Sequence, residues 1–153
     1  MITIEEQTER LIDAFATFDD WQDRYGYIID LGRKLPPPNE KDRTEENQVH
    51  GCQSRVWLVA ETRLQDRENV LEFRADSDAS IVKGLLALVH RLYSGHTARE
   101  ILTFDFGSFL ERLQLDQNLS MTRGNGLRAV VQRIQQLAVS QLAAEAQPAA
   151  SLS

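Results

Sequence analysis

The sequence predicts one α+β domain, a small antiparallel sheet packed against several helices. Three observations carry that expectation: helical periodicity at both ends of the chain, alternating apolar and polar residues in the middle, and a long apolar helical pattern directly after the alternation. The chain has 153 residues, 42% hydrophobic and 26% charged, ordinary values for a globular protein. A domain of that size buries roughly two thirds of the surface its unfolded chain exposes. The domain is expected over residues 1–146, with a disordered tail at 147–153.

Thr3 and Glu6 have the spacing of a capping box, and Leu11, Ile12, Phe15 and Phe18 follow at helical spacing. Asp19 and Asp20 are candidate caps for a second helix through Trp21, Tyr25, Ile28 and Ile29, which Gly32 and Pro36–Pro38 terminate. The polar stretch from Pro36 to Gln48 has neither period and reads as an exposed connection. From Ser54 to Thr62, apolar residues on both alternating sets predict a strand buried largely on both faces. A second strand at Val70–Ala75, across a polar turn at Gln65–Asn69, completes a hairpin.

Asp76-Ser77-Asp78 then reads as the cap of a central helix that carries Ile81 to Tyr93. Ser94-Gly95 ends it, and Thr97 with Glu100 forms another capping box ahead of one or two short helices. The closing helix bears the stripe Leu127, Val130, Val131, Ile134, Leu137, Ala138 and Leu142, preceded by a turn at Arg123–Gly126.

Charge and cysteine content narrow the function. Seventeen basic against twenty-three acidic residues give a net charge of −6, the wrong sign for generic binding to nucleic acid or an anionic membrane. The densest apolar run, Leu85 to Val89, is far short of the roughly 20 residues a spanning helix needs. The N-terminus lacks the pattern of a secretion signal, and a cytoplasmic location is expected. One cysteine, Cys52, excludes an internal disulfide and multi-cysteine metal or cluster sites.

Gly51, Gln53 and Ser54 set Cys52 in a polar, permissive turn before the first strand, where a side chain can be presented to a partner. His50 lies close in sequence, but catalytic pairs meet through the fold, and a loop role explains it. His90 and His96 offer no metal set with it. The Asp76–Asp78 carboxylates are explained by helix capping, and the Arg123–Gly126 turn is a weak anion-binding signal.

Several segments together resemble the SufE family, sulfur-acceptor partners of cysteine desulfurases in iron-sulfur cluster assembly. The most specific are Gly51-Cys52-Gln53-Ser54 with Val56-Trp57, and Asp76-Ser77-Asp78 followed by Ile81 to Leu85. Tyr25, Ile28 to Gly32, Leu35-Pro36, Asn47, and Arg123 with Asn125 to Leu127 are similar too, so the likeness runs from about residue 9 to 140. Two positions depart from it: Gly124 stands where many relatives have serine, and His50 matches no fixed residue.

The resemblance implies a fold similar to scaffold proteins of the IscU type, with a third strand around Asn47 to His50. It implies that Cys52 is the acceptor thiol, that Arg123 lies near the acceptor loop, and that Gly51, Gln53, Ser54, Arg55 and Asp76 support the site. Arg55 and Arg123 would orient a thiolate or meet acidic groups on the partner. The implied partners are a desulfurase of the SufS or CsdA type, which carries pyridoxal phosphate, and a downstream scaffold of the SufB type. The chain itself would hold no cofactor or metal and act as a monomer, stimulating the desulfurase and accepting its persulfide sulfur stoichiometrically rather than as an enzyme. A desulfurase-binding adaptor, or a carrier to an acceptor outside cluster assembly, of the CsdE type, is the alternative; a Cys-His hydrolase and a cluster scaffold are disfavoured for want of partner residues.

Overall fold

The computed structural model describes residues 2–147, so the tail expected at 147–153 lies outside the described residues apart from Gln147. Helices α1 (Ile4–Ala16) and α2 (Trp21–Gly32) come first. The Thr3–Glu6 capping box forms at α1, with both reciprocal hydrogen bonds, and Asp20 caps α2 through the Asp23 amide. A hairpin of β1 (Val56–Gln65) and β2 (Glu68–Ser77) follows, then α3 (Ser80–Tyr93), a two-residue strand β3 (His96–Thr97), α4 (Ala98–Thr103), α5 (Phe106–Arg112), α6 (Leu115–Asn118) and α7 (Met121–Glu145).

The sheet order is β1-β2-β3, antiparallel throughout. Val56 pairs with Ser77 and Gln65 with Glu68, so the hairpin closes in two residues, Asp66 and Arg67. Both have positive φ, the left-handed pair that matches the twist of adjoining strands. Val56, Leu58, Leu71, Phe73 and Ala75 point into the core. Trp57 and Val59 are only half-buried and residues 61–64 are exposed, which corrects the expectation of a strand covered on both faces. Helices pack on one side of the hairpin, and over Trp57 on the other lies the Arg43 guanidinium, 5.3 Å from the ring centre.

The third strand also differs from the expectation. Residues 47–49 make one bridge, Gln48 to Trp57, before the chain turns at His50 and Gly51; the strand that completes the sheet is β3, on the far side of β2.

Helix α3 is central, against α1, α2, α7 and β2. Its crossing with α2 is set by two glycines. A Cβ on Gly84 would stand 2.3 Å from the Ile28 carbonyl oxygen, and one on Gly32 would stand 2.8 Å from the Gly84 amide nitrogen. The Tyr25 hydroxyl fastens α2 to α6 by donating to the Asn118 carbonyl.

Two expected boundaries move. Helix α3 has Ala79 at its N-cap with no side-chain cap, because Asp76 and Ser77 end β2 and Asp78 bonds elsewhere. Helix α7 begins at Met121, capped by the Ser120 hydroxyl on the Arg123 amide, so Arg123 to Gly126 form its first turns and not a preceding loop.

Candidate functional site

Cys52 sits on a loop that is closed at its base. The Val49 amide donates to the Val56 carbonyl at 2.8 Å, and the Leu58 amide to the Asn47 carbonyl at 2.9 Å. Between these bonds the chain reverses at Gly51, whose φ of 94° is unfavourable for any residue with a Cβ. Beyond Cys52 the loop is tied again: the Arg55 amide donates to the Asp78 carboxylate at 3.1 Å, and the Asp78 amide donates back to the Arg55 carbonyl at 3.4 Å. Asp78 thus serves the loop rather than the helix.

The Cys52 thiol donates to the Gly126 carbonyl oxygen at 3.4 Å. A Cβ on Gly126 would lie 3.3 Å from Sγ, so the loop packs this close because α7 has no side chain there. Half-buried, the thiol has its pKa pushed up by burial, which favours the neutral form.

Beside it opens a cavity of about 110 Å³ between the loop, α3 and α7, well above the ~10–15 Å³ one water needs. Its floor is apolar, from Val82, Leu86, Leu127 and Val130. Among its lining residues Arg123 alone is charged.

Of the residues singled out in the sequence, the cavity brings together Cys52, Gln53, Ser54 and Arg123. Gly51 shapes the turn, and Arg55 contributes its backbone to the Asp78 tie. Asp76 stands apart from the cavity, with Arg43 at 2.7 Å and Lys83 at 3.3 Å and the Ser77 amide at 2.8 Å. Burial raises its pKa, but hydrogen bonds from Arg43, the Ser77 amide and Lys83 outweigh that, and the carboxyl is held below the usual carboxylate range. It braces the connection before the loop against β2 and α3.

The histidines are dispersed. His50 is exposed, His96 is buried beside Glu100, and burial lowers the pKa of His90, which lies on another cleft with Glu72 and Arg74. None lines the Cys52 cavity. Among the described residues, no three His, Cys, Asp or Glu side chains are grouped to hold a metal ion, and no helix is long and apolar enough to cross a membrane. The cavity floor was missed by sequence reasoning, because its α3 and α7 residues carry the same apolar periodicity as the core.

Fold and site together define a class: compact α+β domains that hold one thiol in a clasped loop at the mouth of an apolar cavity. The chain belongs to the SufE family, whose Fe-S metabolism associated domain matches residues 9–138. It is 46% identical over 136 residues to an uncharacterized SufE-like protein of Rhizobium etli, spanning 89% of this chain and 92% of that one. A second SufE-like protein, from Rhizobium meliloti, is 43% identical over 89% of this chain and 97% of its own length. The solution structure of a hypothetical protein from Thermus thermophilus shares the fold, with a TM-score of 0.74 over 94% of this chain and 99% of that chain at 20% identity.

Proposed function

We propose that the chain accepts sulfur on Cys52 from the persulfide of a pyridoxal-phosphate cysteine desulfurase, stimulating that enzyme by clearing its thiol, and delivers the sulfur for iron-sulfur cluster assembly. The observation that carries this reading is the placement of the chain's one thiol at the mouth of an apolar cavity, in a loop tied at its base. The cavity of about 110 Å³ beside the thiol has room for one added sulfur atom, with Arg123 among its lining residues.

In the transfer, the Cys52 thiolate attacks the outer sulfur of the donor's persulfide. The new S–S bond forms on Cys52, the donor's S–S bond breaks, and the donor leaves as a thiolate, with no net oxidant or reductant consumed. The Cys52 proton passes to solvent or to the departing sulfur. A thiol of pKa about 8.5 is only ~3% ionised at pH 7, and burial reduces that share further, so the free chain is slow toward incidental electrophiles. Docking supplies the rate: holding two sulfurs at attack distance is worth an effective molarity of about 10⁵ M, some 7 kcal/mol. The exposed Arg123 lining the cavity, with Arg55 exposed on the loop that carries Cys52, would meet acidic groups of the desulfurase. The chain needs no cofactor of its own for this step, and a scaffold of the SufB type is the natural recipient.

Intact-mass measurement after incubation with desulfurase and cysteine tests the proposal. The expected product is heavier by one sulfur at Cys52, and Cys52→Ser keeps the fold and desulfurase binding while losing the added mass. Desulfurase stimulation without sulfur on Cys52 would overturn the carrier reading in favour of an adaptor.

A further inference from the structure

Helix α7 touches the thiol's loop at a second place, away from the cavity. Arg133 donates through Nη2 to the Glu46 carbonyl at 3.0 Å and the Gln48 carbonyl at 3.1 Å, and through Nη1 to Glu46 at 3.5 Å. Glu46 and Asn47 lie in a turn and Gln48 makes the single bridge to Trp57; there the Asn47 carbonyl and Val49 amide face β1 and bond to it. The carbonyls of Glu46 and Gln48 are left over from these main-chain bonds, and Arg133 satisfies both.

Gly126, Ala129 and Arg133 are spaced three and four apart, one face of α7. The loop lies along that face. Gly126 accepts the Cys52 thiol, the Ala129 methyl is 3.4 Å from where a Cβ of Gly51 would stand, and Arg133 holds the stem. The guanidinium suits this task, since its planar, permanently charged fork serves two acceptors at once, while a lysine offers one flexible point.

We propose that Arg133 is a positioning residue for Cys52: by fastening two carbonyls of the loop's stem to α7, it holds the thiol in its half-buried place and sets how readily the thiol leaves it. The inference rests on the sulfur-acceptor reading for the purpose of that motion, but its geometry and its test do not involve a desulfurase. The cavity beside the thiol is lined by Gln53 and Ser54 of its own loop, apolar side chains of α3, and Thr122 and Arg123 of α7. Arg123 is the one charge among them, and the variants below leave it in place. Sign separates the alternatives. Release of the loop hydrates the thiol and lowers its pKa, whereas loss of a merely neighbouring positive charge raises it.

Iodoacetamide alkylation of Cys52 across pH, in the full chain with Tm measured alongside, tests this. Arg133→Ala is expected to lower the apparent thiol pKa by about half a unit, raising the thiolate fraction near neutrality about threefold. Arg133→Lys, which keeps the charge and one donor, is expected to fall between Arg133→Ala and the unsubstituted protein. Arg133→Gln repeats the measurement should Arg133→Ala fail to fold. An unchanged or raised thiol pKa, with or without a lower Tm, overturns the proposal. Failure of the unsubstituted protein to take up sulfur would instead overturn the function proposed above and leave these profiles intact.

Discussion

The thiol of Cys52 donates to the carbonyl of Gly126 across 3.4 Å, joining two residues 74 apart in sequence. Glycine is required by that closeness and not by its own dihedral angles, since Gly126 lies inside α7. Gly126→Ala therefore separates fold from site. Alanine favours a helix over glycine by about 1 kcal/mol, and the clash falls on a loop side chain that can yield. The expected result is an unchanged or slightly raised melting temperature together with faster alkylation of Cys52, read by thiol titration.

The Cys52 pKa is raised by burial, and the sign of the linked effect on stability follows. In the folded state the thiol keeps its proton to a higher pH than the unfolded thiol does. Its contribution is fully present below the unfolded value of about 8.5 and is lost as pH rises through the higher folded value. Urea denaturation between pH 7 and 10 is expected to show a decline in stability, part of which disappears in Cys52→Ser.

Asp76 has the opposite sign. Its carboxyl is held low in the folded state, so its contribution is present above the unfolded value of about 3.9 and is lost as pH falls through the folded one. Asp76→Asn leaves Arg43 and Lys83 without their anion and is expected to cost about 1–3 kcal/mol at pH 7. In chemical denaturation at pH 3, the gap between this variant and the unsubstituted protein should narrow.

Gly84→Ala would drive a methyl into the Ile28 backbone, at 2.3 Å before relaxation. Backbone cannot yield as a side chain does, and the loss is expected to be about 3 kcal/mol. Circular dichroism during heating checks it, with Gly26→Ala, where a Cβ meets nothing within 4 Å, as the tolerated comparison.

What was legible in the sequence was local. Thr3 with Glu6 and Thr97 with Glu100 form their capping boxes as the spacing predicts, because partners three residues apart meet in any helix start. The hairpin was legible from alternation in the same way. Asp76-Ser77-Asp78 has the composition of a cap, but its actual partners, Arg43, Arg55 and Lys83, come from three separate elements and compete successfully for the carboxylates.

The site divides along the same line. Cys52, Gln53 and Ser54 are contiguous and could be read directly, and Arg123 came from the family resemblance. Arg133 was not singled out in the sequence, where it is one more charge on an amphipathic helix. Its partners are main-chain carbonyls, which every residue possesses and no residue type announces.

The bond from Val49 to Val56 puts the sulfur on a short leash. Cys52 is the third residue beyond Val49, and three fully extended residues span about 10 Å. While that bond holds, the atom cannot be carried across a gap between separate active centres in the manner of a long flexible arm. On the carrier reading proposed above, each handover would instead occur within one body-to-body encounter, a giver and a receiver visiting the molecule in turn and meeting a Cys52 Cα that stays within about 10 Å of the leash's base.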